Sequence, residues 1–312
     1  MRIVTSLAAL LAALPAAARD LTIVTDIPPV HSLTAMLMQD VGEPVLLLGQ
    51  GADPHHFQLR PSQARTLAEA DLVVWVGPEL TPWLDRALDG AGADTRRLTL
   101  QGDEGHDEHD EHTDHDDHAD HDDHADHDDH AGHDHHGDEL HQWLDPAIAL
   151  EWTTLIATEL VRIDPANAEI YQANLAEAQR RVIETTVATR ILLEPAQGAP
   201  LIMAHNAYDS YAHAFGLTIL GNVADSDASA PGAGHLSGLR QTVLATPGAC
   251  VFPEAGEDPA YLITLTEGTD ARLGGPLDPA GVALTPGPDL YDALLTGLAE
   301  TIHDCATQTA KD

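Results

Sequence analysis

Apolar residues in this chain come in short dense runs, and the spacing of the runs changes in a regular way along the sequence. Residues 21–25 (LTIVT) read as a buried strand, ended by a turn at Pro28-Pro29. Ser32 then reads as the cap of a helix over 33–38, and 45–48 as a second strand. Gly49, Gly51 and Pro54 mark a loop that carries His55 and His56, and Pro61-Ser62 opens a short helix through 70. Residues 71–77 (DLVVWVG) form a continuous apolar run, as expected of a strand buried on both faces. A helix over 83–88 and a strand over 97–100 complete a β/α alternation, which predicts an α/β layer with a parallel sheet.

A polar tract interrupts this pattern, and order resumes at His141. Asp145-Pro146 is a helix start, a capping residue followed by a first-turn proline, and the helix extends to about Arg162. A second start follows at Asp164-Pro165. From there the chain is free of Gly and Pro until Pro195, with Tyr171, Leu175, Ala178 and Val182 at helical spacing. At 1.5 Å per residue such a helix reaches about 40 Å, the reach of a rigid connector between two domains. The second half then repeats the alternation. Strands are expected over 201–204 (running into His205-Asn206), 217–220 and 250–252 (running into Pro253-Glu254). Helices are expected over 208–215, 239–245, 259–266 and 289–305, and loops over 221–238 and 274–279. The predicted fold is α/β: two lobes with parallel sheets joined by one long helix. The boundaries are 19–163 for the first lobe, 164–194 for the connector and 195–312 for the second lobe.

The length of 312 residues agrees with two domains. Residues 1–18 read as a cleavable leader: Arg2 is the positive end, 3–14 a short apolar run, and Ala16-Ala17-Ala18 a small-residue cleavage site. The run is too short to span a bilayer, and no Cys follows it to take a lipid. The expectation is export to a periplasm, with cleavage near Ala18. Disulfides persist there, and the two cysteines allow one internal pairing, Cys250 with Cys305; the alternative is two buried free thiols.

Charge narrows the range of partners most. The chain holds 51 acidic against 14 basic residues, and its single lysine is Lys311. That excludes the basic patch needed for nucleic acid or an anionic membrane surface, and it favours cations as partners. Residues 103–139 concentrate the effect, with eighteen acids, no Lys or Arg, and twelve of the twenty histidines. Eleven of these recur every third residue: His106, His109, His112, His115, His118, His121, His124, His127, His130, His133 and His136, with His135 added. Period three writes no helix or strand face, and three alanines cannot build a core, so the tract reads as a disordered acidic loop. Interleaved imidazoles suit zinc, copper or nickel, which makes it an accessory metal collector rather than a solvated linker or a tag.

Eight histidines lie outside the tract: 31, 55, 56, 141, 205, 213, 235 and 303. His55, His141 and His205 stand where loops or strand ends deliver side chains to a sheet edge, where ligands of open α/β sheets bind. A site drawn from both halves would lie in the cleft between the lobes. His56 neighbours His55, and adjacent side chains seldom converge on one ion. His31 reads as structural, His213 as too far along its helix to join the others, and His235 as part of a mobile loop that meets metal transiently.

The segments around these residues resemble those of a known family. GADPHHFQLRPS at 51–62 is similar to the metal-binding loop of periplasmic metal-binding proteins of ABC importers, and ADLVVWVGPE at 70–79 to the strand that follows it in the zinc members. HQWLDP at 141–146, AHNAY at 204–208 and GPLDP at 275–279 resemble their second, third and fourth ligand segments. The resemblance spans the mature chain in the same order. It implies His55, His141 and His205 as zinc ligands, with Asp278 or water fourth, since Pro54 stands where some members place an acid. It also implies a C-terminal disulfide, matching Cys250 and Cys305. Manganese members place an acidic residue where His205 stands, so His205 argues for zinc over a harder ion. The implied function is capture of Zn²⁺ as transported cargo and delivery to an inner-membrane ABC permease, by a monomer, with a periplasmic zinc metallochaperone as a candidate loading partner. Two competing readings are a metal store or chaperone acting through the tract alone, and a zinc hydrolase with Glu254 or Glu257 as base. No HExxH motif supports the hydrolase.

Overall fold

A computed structural model describes residues 21–91, 95–101, 140–224 and 231–308. The leader expected over 1–18 and the histidine tract at 103–139 lie outside the described residues. The first lobe runs β1 (Ile23–Thr25), α1 (Pro28–Leu37), β2 (Val45–Leu46), α2 (Pro61–Ala68), β3 (Leu72–Trp75), α3 (Pro82–Ala91) and β4 (Arg97–Thr99). Its strands form a wholly parallel sheet in the order β2-β1-β3-β4. Strands β1 and β3 are buried along their whole length, as helices packed on both faces require.

Pro28 and Pro29 do not form a turn; they are the first two residues of α1. A proline in the first turn has no N–H to withhold from the helix, and its fixed φ suits that position. Ser32 is therefore inside the helix and caps nothing. Its Oγ instead accepts the Tyr291 N–H at 3.0 Å, far along the chain.

After a 3-10 turn at Gln142–Leu144, α4 (Pro146–Ile163) starts where the sequence predicts. Asp145 Oδ1 accepts the Ala147 N–H at 2.8 Å, satisfying one open donor of the first turn. A second 3-10 turn (Pro165–Asn167) leads into α5 (Ala168–Leu193), whose 26 residues extend about 39 Å. The second lobe follows as β5 (Pro200–His205), α6 (Asp209–Phe215), β6 (Thr218–Ala224), α7 (Ala233–Ala245), β7 (Cys250–Phe252), α8 (Ala260–Thr266), β8 (Arg272–Leu273) and α9 (Leu290–Thr307). Its sheet is also parallel, in the order β6-β5-β7-β8, so the two lobes repeat one topology. Helix α5 touches both: Asn174 donates to the carbonyls of Leu37 and Gln39 in the first lobe, and Arg181 pairs with Asp289 and Asp292 beside and within α9.

The expected loop at 221–238 is smaller than its composition suggests. Strand β6 continues to Ala224 and α7 already begins at Ala233. Gly221 reads as a breaker but serves close packing, because a Cβ there would sit 2.9 Å from Leu239 Cδ1 on α7. Strand alternation then divides the second lobe's apolar residues between two cores. Leu201, Met203, Cys250 and Phe252 join the main core that runs through both lobes, whereas Ile202, Val223 and Val251 meet α7 and α8 on the other face. Cys250 is bonded to Cys305, tying β7 to α9 with Cα atoms 6.0 Å apart. Among the described residues, no helix is long and apolar enough to cross a membrane.

Candidate metal centre

The loops beyond the carboxyl ends of the two sheets meet each other. Gly51 N donates to Val282 O at 3.0 Å and Gln50 Nε2 to Leu284 O at 3.2 Å, joining the loop after β2 to the loop after β8. Deeper in, Trp143 Nε1 donates to Pro279 O at 2.8 Å, and the Tyr291 hydroxyl donates to Trp143 O at 2.8 Å. The pocket framed by these contacts holds the three predicted imidazoles. His141, at the start of its 3-10 turn, stands in the middle, with ring centroids 6.3 Å from His55 and 5.4 Å from His205. Zinc bound tetrahedrally at 2.0–2.1 Å holds its imidazole centroids about 5 Å apart. The His141–His205 spacing is close to that, and the His55–His141 spacing about 1 Å wider. Among the described residues, no three His, Cys, Asp or Glu side chains are yet drawn into ligating distance of one point.

The rings differ in setting. His205 ends β5 and His141 is held against Trp143, with ring centroids 5.0 Å apart; both histidines are almost wholly buried. His55 lies in an irregular loop and is half-buried. A groove of about 740 Å³ between residues 55–59 and Trp83, Arg86 and Ala87 reaches it from outside. The loop is pinned there by Trp83 Nε1, which donates to Pro54 O at 2.7 Å. Burial holds the His141 imidazole well below its usual pKa, with the neighbouring His205 and His55 adding to the shift. It is therefore neutral at neutral pH, the form that offers a lone pair to a metal.

Two carboxylates border the same pocket. Asp278 is half-buried, and burial raises its pKa against the opposing backbone hydrogen bonds from Ala283, Val282 and Gly281. Its oxygens accept the N–H groups of Val282 at 3.0 Å and Ala283 at 2.8 Å. Glu254, two residues past β7, sets its Oε2 2.5 Å from His205 Nδ1. Tyr208 lies beside both acids, its pKa raised well above the phenol value by burial and then by the charges of Glu254 and Asp278. In the sequence Glu254 stands only as a candidate hydrolase base, together with Glu257. Its contact with a residue 49 positions earlier has no periodic signal; the one clue was its place just after a buried strand.

The other histidines stand apart. His56 is 67% exposed and turns to Asp53, its Nδ1 2.9 Å from Oδ2. His31 is buried and donates from Nε2 to Pro44 O at 3.2 Å, as a structural histidine does. His213 is 87% exposed, near Asp145. His235 is not in a loop: it lies in the first turn of α7 and bonds through Nε2 to Asn222 O at 2.7 Å. His303 lies on α9 beside Asp304. The twelve tract histidines lie outside the described residues.

Twin parallel sheets, a long connecting helix and a histidine-lined pocket between facing loop edges define the class: a two-lobed metal-binding solute-binding protein. Residues 23–305 match the model of the family ZnuA, described as "Zinc-uptake complex component A periplasmic". The chain belongs to this family. It is 45% identical over 307 residues to the high-affinity zinc uptake system protein ZnuA of Paracoccus denitrificans, covering 94% of each chain. The protein of the same description from Brucella suis is 35% identical, with 92% of each chain covered. Among solved structures, the fold is shared with a crystal structure of ZnuA (TM-score 0.70, 20% identity, 93% of this chain and 100% of that one). It is shared as well with the solute-binding protein FpvC of Pseudomonas aeruginosa in complex with Mn²⁺ (TM-score 0.72, 17% identity, 92% and 98%).

Proposed function

We propose that this protein captures Zn²⁺ in the periplasm and carries it to an inner-membrane ABC permease, holding it with His55, His141 and His205. The observation that carries the reading is the position of His141, neutral and buried between the other two rings. The donor set fits the cargo: three imidazoles suit zinc, and a fourth oxygen from Asp278 or water completes a tetrahedron. Uptake draws the half-buried His55 loop inward by about 1 Å, while His141 and His205 stay in place. Family membership supports transport rather than catalysis, and the hydrolase reading finds no support in it.

The acidic tract at 103–139 serves as a weaker collector that ends just before His141. Its carboxylates attract cations over a Debye length of about 8–10 Å. Competition titration of the protein lacking 103–139 with Zn²⁺ and Mn²⁺ tests the whole reading. One tight site that prefers zinc is expected to survive the deletion. Loss of tight binding with the tract would transfer the function to a store acting through the tract alone.

A further inference from the structure

Glu254 lies outside the predicted ligand set, yet its Oε2 stands 2.5 Å from Nδ1 of His205. Both side chains are mostly shielded, 15% and 4% exposed. At that separation a hydrogen must lie between the atoms, since two lone pairs would repel. A carboxylate is an acceptor, so the hydrogen belongs on Nδ1. A neutral imidazole with Nδ1–H keeps its lone pair on Nε2, and Nε2 of His205 is closed off from solvent inside the pocket. We propose that Glu254 is a positioning residue of the zinc site: it fixes the ring and tautomer of His205 so that Nε2, and not Nδ1, takes the metal. This rests on the reading of His205 as a ligand.

Three further observations support the role. Glu254 is carried on a stiff segment: it pairs in parallel with Leu277, Ala255 N donates to Leu277 O at 2.8 Å, and Leu277 N donates to Pro253 O at 2.9 Å. Leu277 immediately precedes Asp278, so the two carboxylates bordering the pocket are stitched to one another through their backbones. Asp278 directs its oxygens to its own loop, which leaves Glu254 as the acid that grips a ligand ring. Finally, three neutral imidazoles leave a buried divalent cation with a net positive charge whether Asp278 or water stands fourth. Glu254 supplies a negative charge one bond further out without occupying a coordination position. Carboxylates placed behind metal-bound histidines act in this way, and their loss typically weakens metal binding 10–100-fold.

The test uses the full chain and Zn²⁺. In the wild-type protein loaded with zinc, ¹⁵N NMR of His205 should show Nδ1 bearing hydrogen and Nε2 on the metal; metal on Nδ1 overturns the proposal without any substitution. Glu254→Ala should weaken zinc binding about 10–100-fold, and Glu254→Gln, which keeps an acceptor oxygen on the same arm but not the charge, should recover part of it. A purely structural role predicts a lower melting temperature with unchanged affinity in the folded variants, and that result also overturns it. His205→Ala separates the two readings. If it abolishes the tight site while Glu254→Ala binds like wild type, only the positioning role fails. If His205→Ala itself binds like wild type, the ligand reading fails as well.

Discussion

The parallel topology makes near counterparts of two polar side chains: Asp26, just past the end of β1, and His205, at the end of β5. Each reaches towards the end of the neighbouring strand in its own sheet. Asp26 is wholly buried and accepts the N–H groups of Ile27 at 2.8 Å and Val76 at 2.9 Å. It closes the edge of the first sheet. His205 instead leans on Glu254 and leaves its other nitrogen in the pocket. The first lobe, having spent its strand end on closure, contributes histidines from a loop and from a 3-10 turn. The second contributes from the strand itself, backed by acid. Under the proposed ligand assignment, the first lobe offers one half-buried loop histidine, His55, beside the buried His141, and the second offers a strand-end histidine held by an acid.

The comparison can be pressed hardest through the covalent tie, which exists only in the second lobe. Replacing Cys250 and Cys305 together by Ser should cost about 4 kcal/mol, the value expected for closing a loop of 55 residues. Urea unfolding would read it, and a loss below about 1 kcal/mol would remove the bond from the account of that lobe's rigidity. Next comes His205→Ala, expected to weaken zinc binding about a hundredfold or more, as loss of one ligand of a tight site should. Isothermal competition with a chelator would measure it, and an unchanged constant contradicts the site.

Asp26 should act on stability and not on zinc. Burial, opposed by its hydrogen bonds, raises its pKa from 3.8 to about 7. The folded state thus holds the proton more tightly than the unfolded chain, so stability is greatest below the unfolded value and declines as pH rises through about 7. Between pH 6 and 8 the wild type should lose about 1 kcal/mol relative to Asp26→Asn. Parallel pH profiles of the two proteins would refute this, as would a shift in zinc affinity. The smallest effect is expected at His56, whose ring faces solvent. His56→Ala should bind zinc within about twofold of wild type, consistent with an exposed polar contact of little weight. A tenfold loss there would bring His56 into the site and sink the division between neighbouring rings.

Much of this was legible beforehand wherever one residue type dictates one environment. The run at 71–77 could only be a strand covered on both sides, and Asp145-Pro146 could only start a helix. The proximity of the histidine trio follows from its resemblance to known ligand segments rather than from spacing, since the three lie on different elements. What stayed hidden depended on contacts distant in sequence. Helix α7 begins at Ala233 without a side-chain cap, and the His235–Asn222 bond and the fit of Leu239 over Gly221 fasten it to β6. Pro28-Pro29 misled because two prolines suit a turn as well as a helix start. Glu254 could not be linked to His205 until the β5–β7 register set them side by side.

Trp143 joins the His141 ring to the opposite lobe. Its indole is 5.0 Å from the His141 ring and bonded across the lobes to Pro279, the neighbour of Asp278. Any ion settling on His141, and any change in the spacing of the lobes, must alter the electrostatic surroundings of that one chromophore. Among the chain's four tryptophans, the emission of Trp143 should therefore shift as cargo enters the proposed site and shift back as cargo leaves, with no label attached.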